Sequence, residues 1–150
     1  MTYQIIEATP AHILALRDRL RSDDREEITC VGGTPSRALW RSYRGSIIRR
    51  TFIVDGMVAA VGGCGGSVLA GVGQPWLLTA PEVKRVPVAM VREGRAEIRK
   101  MLELFPRLEN IVAAQYGRAC KWLGLLGFEL GEPFAVGPQR AMFRQFWVER

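Results

Sequence analysis

The 150-residue sequence holds one histidine, His12, and three cysteines, Cys30, Cys64 and Cys120, odd in number and far apart. Zinc sites and disulfide frameworks draw on clustered or paired ligands, so the sequence predicts neither a metal nor a disulfide. The same cysteine usage favours a reducing, cytoplasmic setting. Lysine is also scarce: Lys84, Lys100 and Lys121 stand against eighteen arginines. No apolar run reaches the ~18 residues that a membrane-spanning helix needs. The first seven residues lack the basic-then-apolar order of a secretory signal. There is no internal repeat and no low-complexity tract.

What is present is ordinary globular material. At 48% hydrophobic and 24% charged, the chain can bury a sizeable core, and its length predicts one domain over residues 1–150. The net charge of +6 could attract a polyanion. The arginines are spread along the whole chain, however, so they read as a solvated basic surface and not as a nucleic-acid footprint.

Residues 3–7 read as a strand, and Thr9-Pro10 as a helix entry with Thr as N-cap and Pro in the first turn. Ile13, Leu14, Leu16 and Leu20 give an apolar helical face to about Arg21. The polar break at residues 22–27 contains two capping boxes, Asp23 with Glu26 and Asp24 with Glu27, opening a short helix to Cys30. Pro35 begins another helix, carrying Ala38, Leu39, Trp40 and Tyr43. Residues 50–54 and 57–61 form a hairpin around Asp55-Gly56. The glycines at 62, 63, 65 and 66 read as a bulged strand or a close backbone approach, since no Gly-Lys-Ser/Thr follows to make a phosphate cradle. Residues 74–80 are the next strand, 86–105 a long amphipathic helix and 108–114 a buried strand. A helix over 117–126, closed by Gly127, precedes two antiparallel strands at 128–136 and 141–147. On the late helix, Ala119, Leu123 and Leu126 are expected inward, Trp122 on the flank, and Lys121 and Gly124 outward.

The main elements therefore run β-α-α-β-β-β-α-β-α-β-β, an α+β layout with helices flanking one mixed, mostly antiparallel sheet. This order is similar to the GNAT N-acetyltransferase fold over nearly the whole chain. Leu77-Leu78-Thr79-Ala80-Pro81-Glu82-Val83-Lys84 resembles the end of the family's fourth strand and the approach to its pyrophosphate loop. Ala119-Cys120-Lys121-Trp122-Leu123-Gly124-Leu125-Leu126-Gly127-Phe128 resembles its late helix. The resemblance implies acetyl-CoA as cofactor and an amine acceptor, small molecule or protein. It places cofactor contacts at Leu78, Thr79, Lys84, Arg85, Val86, Val88 and Ala89. The family's loop, Arg/Gln-x-x-Gly-x-Gly/Ala, falls here on Lys84, Pro87 and Ala89, and Pro87 removes one N–H donor. Leu123 stands where the family commonly has a tyrosine general acid, and Tyr116 where it has asparagine.

A narrower resemblance joins Asp24-Arg25-Glu26-Glu27-Ile28, Trp76-Leu77-Leu78-Thr79, Pro106-Arg107-Leu108-Glu109-Asn110-Ile111-Val112, Lys121-Trp122-Leu123, Gly127-Phe128 and Phe143-Arg144-Gln145-Phe146. These pieces look like phage-encoded GNAT-like proteins, including internal virion proteins of podoviruses. That likeness implies a host-cytoplasmic or virion location and phage proteins as partners. It leaves two functions open: an acyl-CoA-dependent N-acyltransferase, or a non-catalytic virion or assembly protein that keeps the fold.

Asp24 and Glu27 are candidates to bind a cationic amine, and equally helix-capping carboxylates, which is the preferred reading. His12 reads as a rim residue, not a base. Cys120, among Ala119, Trp122 and Leu123, reads as a buried inert thiol. Asn110, in an apolar strand, needs a partner and would close a gap between splayed strands. Trp76, Trp122 and Trp147 read as core.

Overall fold

In the computed structural model, which describes residues 2–150, fourteen elements follow the order expected, with a third helix before the second strand, a 3-10 turn before the long helix and one expected strand split in two. They are β1 (Tyr3–Glu7), α1 (Pro10–Arg17), α2 (Ser22–Cys30), α3 (Pro35–Arg44), β2 (Ser46–Val54), β3 (Met57–Ser67), β4 (Val72–Thr79), a 3-10 turn (Pro81–Arg85), α4 (Pro87–Leu104), β5 (Arg107–Ala113), α5 (Gly117–Leu125), β6 (Glu129–Leu130), β7 (Phe134–Val136) and β8 (Ala141–Glu149). Three helices separate β1 from β2: the short helix read as running to Cys30 is α2, an element that the two-helix order did not count. The segment expected as one strand over 128–136 is split into β6 and β7; Pro133, with no N–H for a ladder, lies between them.

The strands follow the order β1-β2-β3-β4-β5-β8-β6, with β7 also on β8. The sheet is mixed and mostly antiparallel; β4 with β5 is the parallel pair. The chain divides into two compact units, with breaks inside β3, β4 and at the first residue of α4.

The first unit holds residues 2–65 and Trp76–Pro87. Its core is a cluster of Ala8, Ile13, Leu16, Leu20, Leu39, Val61 and Ala80, with Ile28, Trp40, Tyr43, Val58, Trp76 and Leu78 packed against it. Asp55 and Gly56, both at positive φ (49° and 79°), make the predicted hairpin turn. The glycine run lies within β3 and is buried through Gly65. Register shifts between Ser46/Ile48 and Phe52/Ile53 mark irregularities in the β2–β3 ladder. A Cβ on Gly63 would lie 1.9 Å from the Ile48 carbonyl oxygen, so this close approach admits only glycine. The run is thus structural.

The second unit holds Gly66–Pro75 and Val88–Arg150. Of the residues whose helical spacing predicts an inward face, Ile98 and Met101 of α4 and Phe105 just after it are buried, while Met90, Val91 and Leu102 are half-buried. Leu123, Leu126 and Cys120 are the buried residues of the late helix, while Lys121 and Gly124 are exposed and Ala119 and Trp122 are half-buried. Gly127, at φ 103°, closes the helix, and the Phe128 N–H donates back to the Leu123 carbonyl at 3.1 Å. Phe128 then returns to the interior, edge-on to Phe146 with ring centroids 5.0 Å apart. The three tryptophans expected as core, Trp76, Trp122 and Trp147, are half-buried, since an indole is large enough to reach from core to surface.

Candidate functional site

The end of β4 carries the densest polar arrangement in the first unit. Thr79 is buried at 4% exposure, and its polar groups are all engaged by residues 21–24. The Asp24 Oδ2 accepts from the Thr79 N–H at 2.8 Å and from its hydroxyl at 2.6 Å. The Arg21 Nε–H donates to the same hydroxyl oxygen at 2.7 Å, and the Arg21 main-chain N–H donates to the Thr79 carbonyl at 2.9 Å. Close by in sequence, Arg19 pairs with Glu82 and donates to the Val58 carbonyl at 3.0 Å.

This corrects the reading of Asp24 as a cap. The N-cap position of α2 is Arg21, and no side chain caps that end. The Asp24 carboxylate turns instead to a strand 55 residues away in sequence. Burial pushes its carboxyl above the usual carboxylate value, and the Thr79 bonds and the Arg21 guanidinium pull it back only in part. Glu27, one turn further along α2, is half-buried. Arg21 had no sequence signal as a site residue; a lone arginine in a polar break looks like any solvated arginine.

Of the expected cofactor contacts, Leu78 packs its side chain against the core cluster. The 3-10 turn is closed by the Val86 N–H donating to the Val83 carbonyl at 3.2 Å. Val86 therefore contributes no donor, contrary to expectation. Arg85 reaches Asp55 at 3.4 Å, and Lys84 is exposed with no ion pair among the described residues. Helix α4 begins at Pro87, and the N–H groups of its first turn, Val88 and Ala89 among them, lack helical acceptors. That end of an 18-residue helix carries a partial positive charge.

The remaining candidates are structural. His12 completes a capping box on α1: its Nδ1 accepts from the Thr9 N–H at 3.1 Å and lies 2.8 Å from the Thr51 hydroxyl. Burial lowers its pKa, in keeping with a neutral ring that accepts at Nδ1. None of the three cysteines is in a disulfide, and Cys120 is buried. The Asn110 Nδ2 donates to the Pro75 carbonyl at 2.9 Å. The parallel β4–β5 register is Val72 with Arg107 and Gly73 with Leu108, so the next like-oriented pair would be Pro75 with Asn110. There a side-chain amide stands in for the ladder bond, as expected of strands that have begun to splay. No group of three or more metal-ligating side chains occurs among the described residues, and no helix among them is long and apolar enough to cross a membrane.

No family model matches the sequence, and no curated protein matches it. Solved structures do. Ard1 from Thermoplasma volcanium aligns over 99% of this chain and 98% of its own, with TM-score 0.72 and 13% identity. An acetyltransferase of the GNAT family from Streptococcus pneumoniae aligns over 99% of both chains, with TM-score 0.66 and 13% identity. A GNAT-superfamily phosphinothricin acetyltransferase from Sinorhizobium meliloti, solved with acetyl-CoA, covers 99% of this chain and 89% of its own, with TM-score 0.66 and 15% identity. What is common at such identities is the architecture: the chain has the α+β fold of the GNAT acetyltransferases.

Proposed function

We propose that this protein binds an acyl-CoA along residues 78–89 and transfers the acyl group to an amine. The observation that carries the reading is the fold match over 99% of the chain to acetyltransferases, one of them holding acetyl-CoA. The local chemistry fits in part. The first-turn N–H groups of α4, at Val88 and Ala89, with the ammonium of Lys84, would hold the pyrophosphate, since both supply positive potential. Arg85 adds charge, shared with Asp55. Pro87 offers no donor and the Val86 N–H is spent, so the cradle has fewer donors than a glycine loop. When bound, the cofactor supplies an acyl carbon activated as a thioester. Of the α2 carboxylate pair, Glu27 would attract a cationic amine, whereas Asp24 is bonded to Thr79. Leu123 is buried on α5 and has no proton to give, so that position supplies no general acid.

The test is to incubate the full chain with acetyl-CoA and a panel of polyamines, aminoglycosides and peptide amines. Free CoA above the buffer rate is expected with at least one of them; no release with any amine contradicts the transferase reading.

Leu123 and Pro87 favour a second reading: a non-catalytic assembly or virion protein that keeps the fold without the chemistry. The phage-encoded origin, with host cytoplasm or virion as location, rests on the sequence pieces between Asp24 and Phe146 alone. Binding of acetyl-CoA without turnover on any amine would favour this reading.

A further inference from the structure

We propose that residues 21–24 form a displaceable strap on the edge of β4, holding by mimicry the groups of Thr79 that an extended, amide-bearing ligand would bond. The inference rests on the acyl-CoA reading for the identity of that ligand, whose arm is a chain of amides.

The N–H and C=O of one strand residue point to the same side, so Thr79 offers a donor and an acceptor together at its edge. Such an edge is a template for any extended chain with amide groups. Here the Arg21 N–H fills the acceptor at 2.9 Å and the Asp24 carboxylate fills the donor at 2.8 Å. One main-chain group and one side chain of the same segment thus do the work of a neighbouring strand. An incoming ligand cannot bond Thr79 until both have moved.

The segment is built to move between fixed ends. Upstream, Leu20 is buried at 5% exposure and Arg19 is tied to Glu82 and to the Val58 carbonyl. Downstream, Ile28 packs on the core cluster. Between them, α2 buries no residue fully and has no side-chain cap, and Ser22, Asp23, Arg25 and Glu26 are exposed. An element with so little buried apolar surface opens at low cost compared with the core it lies on. Its main attachment is polar, and a ligand that replaces those hydrogen bonds one for one can compete for them. A closed strap also lowers the apparent affinity by the fraction of molecules that are open.

The test uses the full chain, with CoA and acetyl-CoA as probes, in two readings. Calorimetry compares wild type with Asp24→Ala and Asp24→Asn, and hydrogen exchange follows the amides of residues 21–27 and of Thr79. Asp24→Ala should bind CoA about tenfold more tightly, with Asp24→Asn in between because its amide oxygen still accepts. Wild-type CoA binding should also speed exchange in residues 21–27 while Thr79 stays protected. If CoA binds wild type and Asp24→Asn alike, with exchange of residues 21–27 unchanged, the strap is overturned and the acyl-CoA reading stands. If CoA binds only the Asp24 variants, the strap holds in its strongest form. If it binds none of the three, each shown folded by its thermal transition, the acyl-CoA reading fails and takes the strap with it.

Discussion

The end of β4 and the end of α5 are both places where the chain stops and turns, and they are held by opposite means. At α5 the work is apolar: Leu123 and Leu126 are buried, Gly127 takes the left-handed turn, and Phe128 packs against Phe146. At β4 it is polar: Thr79 is held by Asp24 and Arg21, the one on and the other at the N-cap of a helix that buries nothing fully. An apolar end is costly to disturb and does not change partner. A polar end exchanges one set of hydrogen bonds for another at small net cost, since each bond is worth only about 0.5–1.5 kcal/mol net. On this comparison α5 is a packing element and the edge of β4 is the place that the proposed ligand would use.

The comparison breaks first at α5. Leu123→Ala should destabilise the protein by about 2–5 kcal/mol, read by urea unfolding, through lost transfer energy and a cavity. A loss below about 1 kcal/mol, the range of exposed sites, would mean that Leu123 faces an open cleft and would return a functional role to this position. At the β4 edge, Asp24→Ala leaves the Thr79 N–H and hydroxyl short of an acceptor, and about 1–3 kcal/mol should be lost. A cost equal to that of Leu123→Ala would erase the distinction between the two ends.

The pH dependence sharpens it further. The folded Asp24 carboxyl titrates above its unfolded value of 3.8, so the native chain keeps this proton to higher pH than the unfolded chain. Its contribution is complete below 3.8 and is lost as pH rises through the raised folded value. Wild type should therefore lose stability relative to Asp24→Asn as pH climbs from 3.8 toward neutrality, measured by unfolding at a series of pH values. A difference that is flat, or that grows in favour of wild type, contradicts the desolvated carboxylate. The smallest effect belongs to the surface. Arg85→Ala removes only its exposed pair with Asp55 and should cost under about 1 kcal/mol in the same unfolding measurement.

Sequence patterns made the apolar half of this molecule legible and left much of the polar half hidden. The face of α5, the inward residues of α4 and the Asp55-Gly56 turn follow from periods and backbone rules that act within a few residues. Asn110 was legible for a related reason: a polar group in an apolar strand must find a partner, and it does in Pro75. Asp24 was not. A carboxylate in the first turn of a helix looks like a cap, and nothing local distinguishes that from a bond to a strand 55 residues away. The Val86 donor was lost for a similar reason, because the 3-10 turn that consumes its N–H forms only when the Pro81–Arg85 stretch closes on itself. The third helix before β2 was visible as a segment but too polar to count as an element.

The most direct test of the central claim is a calorimetric titration of acetyl-CoA into the 150-residue chain and into its Pro87→Gly variant. Saturable binding is predicted for wild type, and glycine should tighten it by about 0.5–1.5 kcal/mol, the worth of one restored N–H donor at the start of α4. Binding that is absent from both proteins would contradict the account, and equal binding by the two would mean that this loop does not hold the pyrophosphate.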